Sequence, residues 1–193
     1  MTSAEGPEAV IIRFAALLDA AGVPYMLTGS FASGYHGAPR ASQDIDIVIA
    51  PTPASLDCFL ASLPEDRFYV SRDAALDAHR RQSLFNVVDF ASGWKVDLIC
   101  RKGRPFSITE FDRRSPRDFG GRRVFLASAE DVLLAKLEWA KLSESERQLE
   151  DAAGILRVQG EALDRAYVAR WVAELGIEQQ WERTVALADL HAT

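Results

Sequence analysis

The apolar positions along this chain change period several times, and each change marks an element. Residues 8–21, EAVIIRFAALLDAA, repeat apolar side chains at helical spacing, and Gly22 supplies a stop. Residues 23–28, VPYMLT, form a short apolar run that reads as a buried strand ending at Gly29-Ser30. FASGYHG then predicts a short helical turn and APRAS a loop. Residues 44–50, DIDIVIA, alternate with period two and give the clearest strand signal, closed by Pro51 and Pro53. ASLDCFLASL predicts a helix, RFYVS a strand, and residues 72–81 another helix. LFNVVDF and WKVDLICR are strand-like runs separated only by Ala91-Ser92-Gly93, which predicts an antiparallel hairpin. A basic stretch reads as a loop, and RRVFLA after it as a short strand.

From Ser128 the pattern is helical only. SAED places an N-cap serine with an acid three residues on, just before an apolar run. Helices are predicted over about 129–141, 144–158, 162–174 and 178–190, punctuated by Gly160 and Gly176. The expected fold is α/β (α+β), a mixed sheet flanked by helices and followed by a helical bundle. The expected division is a core over 1–127 and a helical subdomain over 128–193. No internal repeat is visible.

Composition narrows the class. At 193 residues the chain suits one domain, or one with a small appendage, and 48% hydrophobic with 26% charged residues excludes wholesale disorder and rod-like folds. No apolar run approaches the ~18 residues of a membrane span. Acids rather than basic residues precede the first apolar run, so no secretory signal is expected and a cytoplasmic location is. Cys58 and Cys100, without a CxxC or a nearby histidine, read as reduced and buried. The net charge of −6 hides an asymmetry: residues 101–123 carry eight basic and three acidic side chains, net +5, and the rest of the chain −11. Such a stretch is either a solvated loop or a local site for a polyanion.

The candidate chemistry lies in three acids. Asp44 and Asp46 are two apart on a strand, so their side chains leave one face, with Cα atoms roughly 6.6 Å apart. Two carboxylates on an apolar strand repel each other, and a positive partner must offset them. A divalent cation does so, and oxygen-rich sites suit Mg²⁺. Asp97, within Lys95-Val96-Asp97-Leu98-Ile99, is a third acid in an apolar strand and can complete the site from a neighbour. Gly29-Ser30, where a strand turns into a helix, exposes backbone N–H groups that can cradle phosphate oxygens.

Gly29-Ser30, thirteen intervening residues, Asp44-x-Asp46 and the later Asp97 resemble the nucleotidyltransferase superfamily typified by DNA polymerase beta. The match runs over residues 8–100. In the tail, LLAKLEWAKLSESERQLEDAAGIL resembles AbiEii-like nucleotidyltransferases, the toxin half of some toxin–antitoxin pairs, and related bacterial members. The resemblance implies an Mg²⁺-dependent transfer of a nucleoside monophosphate from an NTP to a hydroxyl. Asp44 and Asp46 would ligate two Mg²⁺ ions bound with the triphosphate. Asp97 would share one metal and deprotonate or orient the acceptor hydroxyl. Gly29, Ser30 and the N–H groups beside them would hold the β and γ phosphates. Lys136 and either Asp151 or Glu150 would contribute from the tail. The acceptor is open: a tRNA end bound through residues 101–123, a protein hydroxyl, or a small molecule such as an aminoglycoside. A toxin of this type would have an antitoxin partner. The rival reading is a non-catalytic nucleotide-binding or interaction module of the same fold.

Secondary candidates surround this set. Arg40, in the loop before Asp44, can reach a phosphate with its planar fork or stay a surface residue. Lys95 shares the face of Asp97 and offers a counter-charge. His36 reads as a packing residue, with nucleotide contact as the alternative. Lys136 is either a snorkelling lysine or a nucleotide contact. Trp94, Trp139, Trp171 and Trp181 read as core, and Asp89 as an exposed turn acid. No kinase-type phosphate loop, His/Cys metal run or nucleophile elbow occurs. No helix-hairpin-helix DNA module is apparent either, which argues against template-directed synthesis.

Overall fold

A computed structural model describes residues 5–189. In chain order its elements are α1 (Pro7–Ala20), β1 (Tyr25–Leu27), α2 (Gly29–His36), β2 (Asp44–Ile49), α3 (Pro53–Ala61) and β3 (Phe68–Tyr69). Then follow α4 (Arg72–Arg81), β4 (Leu84–Asp89), β5 (Lys95–Cys100), α5 (Pro105–Asp112), β6 (Ser115–Phe119) and β7 (Arg122–Leu126). The remainder is helical: α6 (Ala129–Ser143), α7 (Glu146–Gln159), a 3-10 turn (Gly160–Ala162), α8 (Arg165–Leu175) and α9 (Glu178–Asp189). The expected α+β class with a mixed sheet is what forms. Residue 190, at the end of the last predicted helix, lies outside the described residues.

The described chain divides into two compact units. The sheet unit holds the chain up to Thr28 and then Ser42–Leu126; the helical unit holds Gly29–Ala41 and the chain from Ala127 onward.

In the sheet unit, seven strands run in the order β3-β4-β5-β2-β1-β7-β6. β2 pairs parallel with β5 and antiparallel with β1, while β4–β5 is the expected antiparallel hairpin. α1 buries Val10, Ile11, Phe14, Ala15 and Leu18 along one stripe, and Phe14 meets Phe68 edge-on at 5.8 Å. α3 starts on a reciprocal cap, in which Ser55 N–H donates to Thr52 Oγ1 at 3.1 Å and Thr52 N–H donates to Ser55 Oγ at 3.0 Å.

The basic stretch is not a loop. It contains α5, opened by Pro105, and β6, which joins β7 through Gly120 and Gly121, both at positive φ (56° and 83°). SPRDF offers no alternation because only its last residue is apolar; backbone pairing with β7 makes it a strand. Pro116 and the exposed Arg117 and Asp118 stand on this terminal strand, and β3, the other terminal strand, is two residues long.

Asp89 departs furthest from expectation. It is fully buried, its carboxylate receives Arg13 and lies 3.4 Å from Arg67 Nε, and Glu5 pairs with both arginines. Hairpin proximity suggested exposure, but two cations from α1 and the segment before β3 draw the acid inward. Cys100 is buried as expected, and desolvation pushes its thiol up to about 11, whereas Cys58 lies on the exposed side of α3. Of the four tryptophans only Trp171 is core; Trp94 and Trp181 are half-buried and Trp139 is 54% exposed.

In the helical unit, α6 begins at Ser128, whose Oγ accepts from Asp131 N–H at 3.2 Å. The Asp131 carboxylate accepts from Ser128 Oγ (2.6 Å) and Tyr167 Oη (2.5 Å), so the buried acid ties α6 to α8. α8 starts at Arg165, three residues later than predicted, because the 3-10 turn and the Asp164 cap intervene.

Candidate functional site

The parallel register of β2 and β5 sets Asp44 opposite Lys95 and Asp46 opposite Asp97. Side chains at paired positions share a face, so all three predicted acids and Lys95 emerge together, while Ile45, Ile47, Val96 and Leu98 fill the other side. On β4, Asn86 stands opposite Asp97 and joins this face. Lys95 Nζ lies 3.1 Å from Asp44 Oδ1 and 3.2 Å from Asp97 Oδ2. Burial pulls the Lys95 ammonium down, but hydrogen bonds and charge from Asp44 and Asp97 outweigh it and leave its pKa raised. Asp97 is 16% exposed and Asp44 47%. Asp97 Oδ1 is buried and accepts no hydrogen bond. Thr28 N–H donates to the Asp46 carbonyl at 3.0 Å, continuing the β1–β2 pairing to the last residue before Gly29.

The helical unit holds the other sequence candidates. Gly29 opens α2 with φ at 63°, a left-handed conformation that a side chain would strain. Arg40 Nη2 donates to Ser30 Oγ at 2.6 Å, and Arg40 Nε donates to both Asp151 oxygens at 2.9 and 3.1 Å. Lys136 Nζ donates to Asp151 Oδ2 at 2.8 Å, with both side chains only 7% exposed. Burial raises the Asp151 carboxyl, but Arg40 and Lys136 together hold it below the usual carboxylate range. Asp151, not the exposed Glu150, is thus the tail acid in the network, and Lys136 is buried and paired rather than snorkelling.

Two contacts fix this network. His36 Nε2 lies 2.8 Å from the Ala127 carbonyl, which makes it a packing residue. A Cβ on Gly37 would fall 2.7 Å from Ile155 N, so only glycine lets the segment after α2 lie this close to α7.

Much of the basic stretch is engaged internally. Arg114 stacks over Phe111 at 4.0 Å and Arg101 over the same ring at 5.5 Å. Arg104 Nε donates to Ser107 Oγ at 3.0 Å, and Arg122 pairs with Asp19 at 2.7 Å. Lys102, Arg117 and Arg123 are exposed.

Among the described residues, no three His, Cys, Asp or Glu side chains already converge as a ready metal site. The donor set nevertheless suits a hard divalent cation. Three carboxylates share a face, one buried oxygen lacks a partner, and a tethered cation already bridges two of the acids.

The chain has the fold of the nucleotidyltransferases. It is similar to an antigenic nucleotidyltransferase-like protein from Paracoccidioides brasiliensis at a TM-score of 0.61 and 16% identity, over 93% of this chain and 91% of that one. It is also similar to the antibiotic-resistance factor ANT(2'')-Ia (TM-score 0.52, 16% identity, 96% of this chain and 95% of that one). A third similar structure is the lincosamide antibiotic adenylyltransferase LnuA bound to lincomycin (TM-score 0.53, 14% identity, 80% of this chain and 98% of that one). No protein-family model and no curated protein sequence matches the chain. The resemblance to DNA polymerase beta-like nucleotidyltransferases is therefore carried by the fold. No helix among the described residues is long and apolar enough to cross a membrane.

Proposed function

We propose that this protein transfers a nucleoside monophosphate from an NTP to a hydroxyl acceptor and releases pyrophosphate. The observation that carries the reading is the in-register pairing of Asp46 with Asp97 beside Asp44, on an otherwise apolar sheet of nucleotidyltransferase fold. Asp44, Asp46 and Asp97 are the residues that would hold magnesium, as two ions when nucleotide is bound. Ions held there neutralise charge on the attacking and leaving oxygens of the displacement. Asp97, with an oxygen that accepts no hydrogen bond, takes the proton of the acceptor hydroxyl. That oxygen attacks the α-phosphorus in line, the bond from the α-phosphorus to the bridging oxygen breaks, and pyrophosphate departs. Ser30, the N–H groups at the start of α2 and the Arg40 fork hold the β and γ phosphates. Lys136 adds positive charge to that cradle and, with Asp151, keeps Arg40 aimed.

The acceptor we favour is a small, cationic hydroxyl compound rather than RNA. The chain is acidic overall, and Arg101, Arg104, Arg114 and Arg122 of the basic stretch already have aromatic or polar partners. Two of the similar structures are an antibiotic-resistance factor and an antibiotic adenylyltransferase. The test offers each α-³²P-labelled NTP with Mg²⁺ to aminoglycosides and lincosamides, to tRNA and to a protein lysate. An Asp44→Ala/Asp46→Ala variant is the control. Label on a small molecule, absent in the control, is expected. Label on tRNA would instead support the toxin reading with its antitoxin partner, and no transfer to any acceptor would favour a nucleotide-binding module.

A further inference from the structure

The acid face is not electrostatically bare. Lys95 brings an ammonium to it, and that ammonium sits between two of the carboxylates, at 3.1 Å from Asp44 and 3.2 Å from Asp97. The register holds it there: Lys95 is opposite Asp44 and two residues before Asp97, so its reach to both follows from the strand pairing. Without it, Asp44 and Asp97 on adjacent strands would lose the cation that lies between them and offsets their repulsion. A divalent ion would seek the same oxygens, Asp44 Oδ1 and Asp97 Oδ2. Lys95 and the ion are therefore alternatives for one position.

We propose that Lys95 is a tethered counter-ion that keeps the acid face folded without metal and competes with bare divalent cation for it. The inference rests on the nucleotidyltransferase reading for the identity of the acids as metal ligands. Its consequence is a filter. A bare ion must displace a cation that is always present. An ion that arrives on a triphosphate brings phosphate oxygens that can receive the displaced ammonium. Lys95 thus weakens binding of the ion alone and favours its arrival with nucleotide. It is a positioning residue, since it acts through Asp44 and Asp97 rather than on the reacting atoms.

The experiment measures Mn²⁺ binding to the nucleotide-free full chain by electron paramagnetic resonance, alongside thermal unfolding in chelator and in Mn²⁺. Lys95→Met is expected to bind Mn²⁺ about 10-fold or more tightly than the wild type, the scale set by one nearby charge in a partly solvated site. It should unfold at lower temperature in chelator and recover more on adding Mn²⁺ than the wild type does. Lys95→Arg keeps the charge and should restore wild-type Mn²⁺ affinity, and Lys95→Gln serves if Lys95→Met does not fold. Adding Asp97→Asn to Lys95→Met should abolish the gain. Equal Mn²⁺ affinity in wild type and Lys95→Met, still dependent on Asp97, would overturn the counter-ion role and leave the metal reading standing. Mn²⁺ binding in neither protein would overturn both.

Discussion

Two clusters of charge in this molecule are built with opposite imbalances. On the sheet, the carboxylates of Asp44 and Asp97 converge on the single ammonium of Lys95, and a buried Asp97 oxygen has no hydrogen-bond partner. In the helical unit, two cations converge on the single carboxylate of Asp151, and Arg40 also reaches Ser30. The first is short of positive charge and the second carries a surplus of it. A third cluster gives the contrast. Asp89 and Glu5 face Arg13 and Arg67, two against two, and that network is structural. Matched charges close a fold, whereas mismatched ones leave it able to take a ligand of the missing sign.

The largest expected effect tests the acidic imbalance. Asp44→Ala or Asp97→Ala should lower nucleotidyl transfer by about 10²–10³-fold or more, as loss of transition-state charge stabilisation does. Either variant should melt no lower than the wild type, because a repelling carboxylate has gone; a loss of activity accompanied by unfolding would make the acid structural.

The basic cluster should respond in the opposite way. Asp151→Ala strands two cations and should cost about 3–5 kcal/mol in urea unfolding. Asp151→Ala with Lys136→Met should recover part of that loss, while an additive double variant would mean that the two side chains do not interact. The cluster also has a pH signature. The Asp151 carboxyl is depressed in the folded protein, so the unfolded chain binds more protons between the two pKa values. Its contribution is fully present above the ordinary carboxyl value of about 3.9 and is lost as pH falls through the depressed folded value. Urea midpoints taken from pH 6 downward should show this acid limb in the wild type, and Asp151→Asn should flatten it.

A smaller effect is expected at Gly37. A Cβ there meets Ile155 N at 2.7 Å, so Gly37→Ala should cost about 1–3 kcal/mol and raise the KM for nucleotide, since Arg40 is only three residues further on. Stability lost without any change in KM would separate the packing from the phosphate cradle. The smallest effect lies outside both clusters. Cys58→Ser should change stability by no more than about 0.5 kcal/mol, and a thiol reagent at neutral pH should label exposed Cys58 while the raised pKa and burial of Cys100 protect it.

The acid face was legible because alternation and chemistry coincide in DIDIVI and KVDLIC. A period-two pattern assigns the strands, and the polar positions within it assign the face. The Lys95 bridge was half visible, since i and i+2 share a face, but its contact with Asp44 needed the β2–β5 register. Asp151 could not be separated from Glu150 by spacing, because neighbours on a helix differ only in azimuth and the partner Arg40 is 111 residues away. Asp89 and Trp139 were misplaced for one reason. Local pattern reports the average exposure of a residue type, while a distant arginine pair or an uncovered helix face decides the individual case. α5 and β6 were hidden by charge, which reads as loop until backbone pairing is known.

The two ends of the sheet carry a consequence for life at high concentration. One margin is a strand of two residues, which pairs only with Val88 and Asp89 of β4. The other carries Pro116, which has no amide proton to offer, between the partly buried Ser115 and the exposed Arg117 and Asp118. A stranger's strand finds a broken hydrogen-bond ladder at the β6 margin. Edge-to-edge stacking, by which open sheets aggregate, is thereby disfavoured at the β6 margin.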